Sequence, residues 1–238
     1  MNGTGLDRTA ARTGNGFEAA APTAGRLVAR AGAAGFAATG VAFLLYPVVR
    51  PWGDETTLAG AAGIASGAWV AAHLFAVAGF LTLTLSLLAV RALTRGTRAG
   101  GPALGALLLT WIGVGLTLPY YGAEVFGVHE AGAQALREHS ATLLVRMTDA
   151  IRYQPAAAAM FAVGLAALGA GAILAAIAVA RSGRWRRWSG APMALGFALF
   201  IPQFFTGETV RIAHGALIAA GCLWLAAELL HTHRTPSA

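Results

Sequence analysis

Residues 99–123 read AGGPALGALLLTWIGVGLTLPYYGA, twenty-five consecutive positions without Asp, Glu, Lys or Arg. A helix rises 1.5 Å per residue, and about 20 mostly apolar residues cross the hydrocarbon core of a bilayer. This stretch is long enough to do so, and then it meets Pro119, Tyr120, Tyr121, Gly122 and the acid Glu124. Proline, aromatic residues and glycine suit the end of a span, where freed carbonyls reach water and rings sit at the interface.

Working outward, similar windows cover residues 31–49, 56–90, 153–180 and 188–207, with a sixth at 212–230 that carries Glu228 near one end. The chain of 238 residues is 57% hydrophobic and only 11% charged. A soluble domain carries about 25% charged residues. These observations predict an all-α polytopic membrane protein. Six transmembrane helices are expected, in three hairpins, over about 28–49, 68–92, 103–122, 155–180, 189–206 and 210–230. Residues 1–26 contain no apolar run of signal-peptide kind and read as a disordered cytoplasmic tail, and 231–238 as a second tail. Residues 56–67 read as an outer turn or a helical extension above the bilayer.

The formal net charge is +7, and every basic residue is arginine. In a soluble protein this would suggest nucleic acid, but here the positive-inside rule accounts for it. With the N-terminus inside, 12 of the 17 arginines fall on the inner side and 7 of the 10 acids on the outer side. The expectation is a cell-membrane protein with both termini cytoplasmic, the bilayer as its partner and no nucleic acid. Cys222 is the single cysteine, which excludes an internal disulfide or a CxxC centre.

Residues 130–152, EAGAQALREHSATLLVRMTDAIR, have another pattern. Leu136, Leu143, Leu144, Met147 and Ile151 recur at helical spacing with charges between them. An amphipathic outer helix is expected there, lying on the interface or capping the bundle.

The outer ends of helices one, three and five share a plan: YPVVRPWGDE, LPYYGAE and IPQFFTGE. Each has a proline (Pro47, Pro119, Pro202), then bulky residues, a glycine and an acid. Interface chemistry alone produces such a pattern, but it leaves the acids at helix C-termini, where the macrodipole disfavours them. If they turn inward they need cations, and Arg50, Arg146, Arg152 and Arg211 are on the same side.

Ionisable groups within spans are costly and mark candidate sites. His73 and His214 are expected at one depth in the outer leaflet. Tyr120, Tyr121, Glu124, Gln203, Glu208 and Arg211 approach that level from neighbouring helix ends and complete the set of candidate ligand-binding residues. Four readings stand side by side. The histidines pack as neutral rings with one hydrogen bond each. They ligate a b-type haem between them. With Glu124 they hold a divalent metal such as zinc. Or the polar vestibule takes a small apolar or lipid-like ligand from the outer leaflet. The function class expected is a ligand-binding or accessory membrane protein with an outer polar vestibule.

Overall fold

In an apolar medium a backbone must satisfy its own hydrogen bonds, and Ala/Leu/Gly/Val-rich segments do so as helices. The computed structural model describes residues 15–231, with side chains from residue 23. Among the described residues, five helical stretches are long and apolar enough to cross a membrane: Thr23–Val49, Gly67–Thr94, Gly100–Arg137, Pro155–Ser182 and Glu208–His231. Their outward faces are apolar. Leu74, Leu81, Leu85 and Leu88 stand exposed on the second, and Leu108, Trp111 and Ile112 on the third. Such a surface is stable against lipid and not against water. The chain is an integral membrane protein.

The first helix, α1 (Asn15–Val49), packs on α3 (Gly67–Thr94) and on α10 (Glu208–His231). It begins inside the segment expected to be a tail, where Ala19–Ala21 favour helix. Residues 1–14 and 232–238 lie outside the described residues. Between α1 and α3 sits the short α2 (Leu58–Ile64), capped by the Thr57 hydroxyl accepting from the Gly60 N–H. The Ser66 hydroxyl accepts from the Trp69 N–H and starts α3. Residues 57–66 are thus a short capped helix and a turn, separate from α3.

The helix expected to end near residue 122 does not end there. α4 (Gly100–Gly122) passes through Pro119, enters a π-helical turn at Ala123–Val128 and continues as α5 (His129–Arg137). Proline lacks an N–H and loosens the ladder, and a π-turn inserts an extra residue where it is already loose. The amphipathic segment is accordingly two helices: α5, and α6 (Ala141–Arg152), with Glu138–Ser140 as the break. His139 takes φ 50° in that break, and the Ser140 hydroxyl caps α6. The apolar face caps the bundle. Leu144, Ala135 and Val128 bury against Ala61, Ile64 and Trp69.

α7 (Pro155–Ser182) pairs closely with α4. Gly113 and Gly164 face each other at this seam, where a Cβ on Gly113 would come within 2.7 Å of the Gly164 carbonyl oxygen. Small residues let the helix backbones approach.

The fifth expected helix, 189–206, is broken. It consists of α8 (Ala191–Ala198) and α9 (Phe200–Gln203), separated at Leu199. Pro202 cannot donate to the Ala198 carbonyl, so the ladder fails one turn earlier. This segment is not among the five long apolar helices. Its residues still run antiparallel to both neighbours: Gly190 lies beside Ala176, Gly196 beside Ile218, and Met193 beside Gly221.

One end of the bundle is rich in arginine. Arg98 Nε donates to the Arg181 carbonyl at 2.9 Å, Arg184 Nη1 to the Leu93 carbonyl at 2.9 Å, and the Arg186 N–H to Glu228 Oε2 at 3.0 Å. Gly32 lies beside Ala89 and Leu229, so the start of α1 and the end of α10 share this end. Glu55, Glu124, Trp69, Tyr46 and Tyr121 gather at the opposite end.

Candidate functional site: a cavity at the acidic and aromatic end

The aromatic residues beside the three prolines meet in space. Tyr46 precedes Pro47, Tyr120 and Tyr121 follow Pro119, and Phe204 and Phe205 follow Pro202. All five line one half-open cavity of about 470 Å³. Behind the lining residues Tyr121 and Phe204 lies a cluster of buried rings, with Phe43 edge-on to Phe80, Phe197 and Phe200 at centroid distances of 5.0, 5.3 and 5.7 Å. Ligand pockets in proteins run from about 300 to 1,000 Å³.

One wall is charged. The Glu124 side chain turns inward from the π-turn and is only 7% exposed. Arg152, at the end of α6, donates from Nε to Glu124 Oε1 at 2.8 Å and from Nη2 to Oε2 at 3.0 Å. Its Nη1 donates to Glu55 Oε2 at 2.6 Å. Glu55 also accepts from Arg50. The chain Arg50–Glu55–Arg152–Glu124 thus alternates in charge and ties the end of α1, the loop before α2, α6 and the π-turn together. Burial pushes the Glu55 carboxyl up, but the Arg152 and Arg50 guanidiniums outweigh it and hold the group below the ordinary glutamate range. Arg152 is raised above its ordinary value: burial opposes its charge, and the Glu124 and Glu55 carboxylates more than compensate.

Trp69 lies beneath this chain. Its Nε1 donates to the Glu124 carbonyl at 2.8 Å, and the Arg50 guanidinium carbon is 4.8 Å from its ring. The π-turn has a use here: it leaves a main-chain carbonyl for the indole while its side chain meets arginine.

The opposite wall is apolar: Phe161, Ala162 and Leu165 of α7 face Ile201 and Phe204 near α9. Tyr120 stacks on Phe161 at 4.0 Å. Phe205, 87% exposed, stands at the mouth beside the exposed Tyr153.

Of the residues singled out from sequence, His73, Tyr120, Tyr121, Glu124 and Arg211 line this cavity. Gln203 and His214 do not. They line a small adjoining void of about 10 Å³, which shares Tyr46, Arg50 and Arg211 with the larger one. Glu208 is exposed at the start of α10 and lines neither. Sequence reasoning had placed Arg50 and Arg152 among the available outer cations but not in the site. It missed Tyr46, Glu55 and Phe161 there, although Tyr46 carries the same aromatic-beside-proline signal as Tyr120.

The two histidines serve different neighbours. His73 Nδ1 donates to the Trp69 carbonyl at 2.8 Å, which leaves Nε2 as an acceptor on the cavity side. His214 Nε2 donates to the Gly196 carbonyl at 2.7 Å and its ring stands edge-on to Phe200 at 5.3 Å. His214 therefore binds α10 to the broken helix. The rings of Tyr121, Phe80 and Phe200 link one histidine to the other in a continuous series of contacts. That packing does not fit a haem held between the imidazoles. Among the described residues no three His, Cys, Asp or Glu side chains are grouped to hold a metal ion. The Glu124 carboxylate is already held on both oxygens by Arg152, so the trio His73, His214 and Glu124 does not offer a ligand set.

Compared with known proteins, the chain matches no family model, no curated protein and no solved structure.

Proposed function

We propose that this membrane protein binds a lipid-like amphiphile in the cavity at its acidic and aromatic end, without chemistry on it. The observation that carries the reading is the division of one cavity into two walls. Guanidinium, carboxylate and phenol groups form one wall. Phe161, Leu165, Ile201 and Phe204 form the other, which continues through Phe205 onto the exposed apolar exterior. A molecule with a polar head and a hydrocarbon tail satisfies both, entering sideways from the bilayer. The polar groups sit near one interface, so neither transport through the apolar bundle nor a proton path is part of this reading.

The same proposal includes the topology. The chain crosses six times, with the broken α8–α9 pair as a short fifth crossing, both ends cytoplasmic and the cavity in the outer leaflet. The arginine-rich end supports it through the positive-inside rule. Native Cys222 is fully buried, so introduced cysteines report alone. Cysteine replacing exposed Glu138 is expected to react with an impermeant thiol reagent in intact cells, and cysteine replacing exposed Thr97 to stay silent. The reverse pattern inverts the orientation.

The binding reading is tested by extracting the protein with its lipid annulus in polymer nanodiscs and analysing bound lipids by mass spectrometry. Enrichment of one amphiphile class over the bulk membrane is expected. It should be lost in Ala162→Trp, which places an indole in the cavity. Identical lipid profiles for the parent and this variant would sink the proposal.

A further inference from the structure

Three guanidiniums line the cavity against two carboxylates. Arg152 has all three nitrogens engaged on Glu124 and Glu55. Arg50 shares Glu55. Arg211 pairs with no carboxylate among the described residues. Its Nε and Nη2 donate to the carbonyls of Gln203 and Phe204, at 3.2 and 2.7 Å, and among the described residues Nη1 makes no hydrogen bond. Glu208, three residues earlier, is exposed and does not pair with it.

Arg211 also stands close to Arg50. The guanidinium carbons lie 5.4 and 4.5 Å from the same Trp52 ring. Two cations near one indole, with one shared carboxylate between several partners, leave a positive potential on the cavity side. A second feature points the same way. The Tyr121 hydroxyl is buried and makes no well-formed hydrogen bond among the described residues. The Tyr46 hydroxyl approaches it and is a weak, poorly aligned partner, with the two rings 6.0 Å apart, short of a well-formed hydrogen bond. A buried hydroxyl without a well-formed hydrogen bond is destabilising, and a ligand oxygen would relieve it.

We infer that the head of the bound amphiphile is an oxyanion, a carboxylate or a phosphate, held by Arg211 and Tyr121. This rests on the amphiphile reading above. Arg211 supplies charge through Nη1, its fork being fixed in place by two main-chain carbonyls. Tyr121 supplies a neutral donor. Charge-assisted hydrogen bonds are about twice as strong as neutral ones, so the head decides selectivity while the tail supplies most of the affinity.

Equilibrium binding to the detergent-purified full chain at pH 7.5 tests it with three probes of stated chemistry: palmitate, hexadecanol and inorganic phosphate. Palmitate is expected to bind about tenfold more tightly than hexadecanol or better, the equivalent of one charge-assisted bond. Arg211→Gln should bring palmitate down to the hexadecanol level, and Arg211→Lys should restore part of the preference. Equal binding of palmitate and hexadecanol to the parent overturns the oxyanion head and leaves the amphiphile reading standing. Binding of neither overturns both. Phosphate alone competing as well as palmitate supports the anion subsite and overturns the lipid source. The comparison on the parent chain decides the inference even if Arg211→Gln does not fold.

Discussion

Arg152 holds Glu124 by two parallel hydrogen bonds, Nε to Oε1 at 2.8 Å and Nη2 to Oε2 at 3.0 Å, across 28 residues of sequence. This fork joins the end of α6 to the π-turn that follows α4. It works beside the Arg152–Glu55 ion pair and the His129 hydrogen bond to the Ile64 carbonyl, which also hold this cap to the bundle. Removing the cation should leave Glu124 buried and unpaired. We expect Arg152→Leu to cost about 3 kcal/mol, and the double variant Arg152→Leu/Glu124→Leu to recover most of the loss. Denaturant titration in detergent micelles measures both. Equal destabilisation by the single and double variants would show that the pair's partners do not depend on one another.

Acid should loosen the same region. The folded Glu55 carboxyl sits below its unfolded value of about 4.3, because the guanidiniums of Arg152 and Arg50 prevail over burial. A depressed carboxylate contributes stability that is fully present above the unfolded value and is lost as pH falls through the folded one. The protein should therefore hold its melting temperature from pH 7 to about pH 5 and lose it below about pH 4. Glu55→Gln should flatten that acid limb. If its acid profile matches the parent, Glu55 is not among the groups that set it.

The break between α5 and α6 stores local strain. His139 adopts φ 50° with an exposed side chain. Left-handed backbone costs a residue with a Cβ about 1–2 kcal/mol, and glycine is free of that clash but loses more chain entropy on folding. His139→Gly should raise stability by roughly 0.5–1 kcal/mol, read as an upward shift in thermal unfolding. A downward shift would mean that the imidazole supports the cap.

Adjacent leucines in α6 should behave differently. Leu144 is 0% exposed and packs with Ala61, Ile64 and Trp69, whereas Leu143 is only half-buried. Leu144→Asp should detach the cap and raise protease cleavage between α5 and α6 severalfold, since a charge cannot be buried there unpaired. Leu143→Asp should change it little. Similar cleavage of both variants would place the docking face elsewhere.

Much of the architecture is legible in the chain itself because a bilayer reads composition over some twenty residues at a time. Charge-free windows such as 99–123 and 153–180 leave no alternative to buried or lipid-facing helix. Arginine clustering separates the two ends, and the aromatic-beside-proline motif marks the end where the cavity forms. His73, Glu124 and Arg211 stand out for the same reason: a polar group in an apolar setting needs a partner, and that demand is visible residue by residue.

What the partners are is another matter, since it depends on contacts between residues far apart in sequence. Periodicity made one amphipathic helix of 130–152, but backbone geometry at His139 divides it in two. Pro119 looked like an end, yet the helix absorbs it through a π-turn and so turns Glu124 toward Arg152. Pro202 was expected to close a full span, and instead it shortens the segment by freeing a carbonyl inside it. His73 and His214 read alike in sequence, as single histidines near the same depth. Tertiary packing assigned one to the cavity and the other to the Gly196 carbonyl, because a hydrogen-bonding ring takes the nearest unsatisfied group, and which group is nearest is set by how the helices cross.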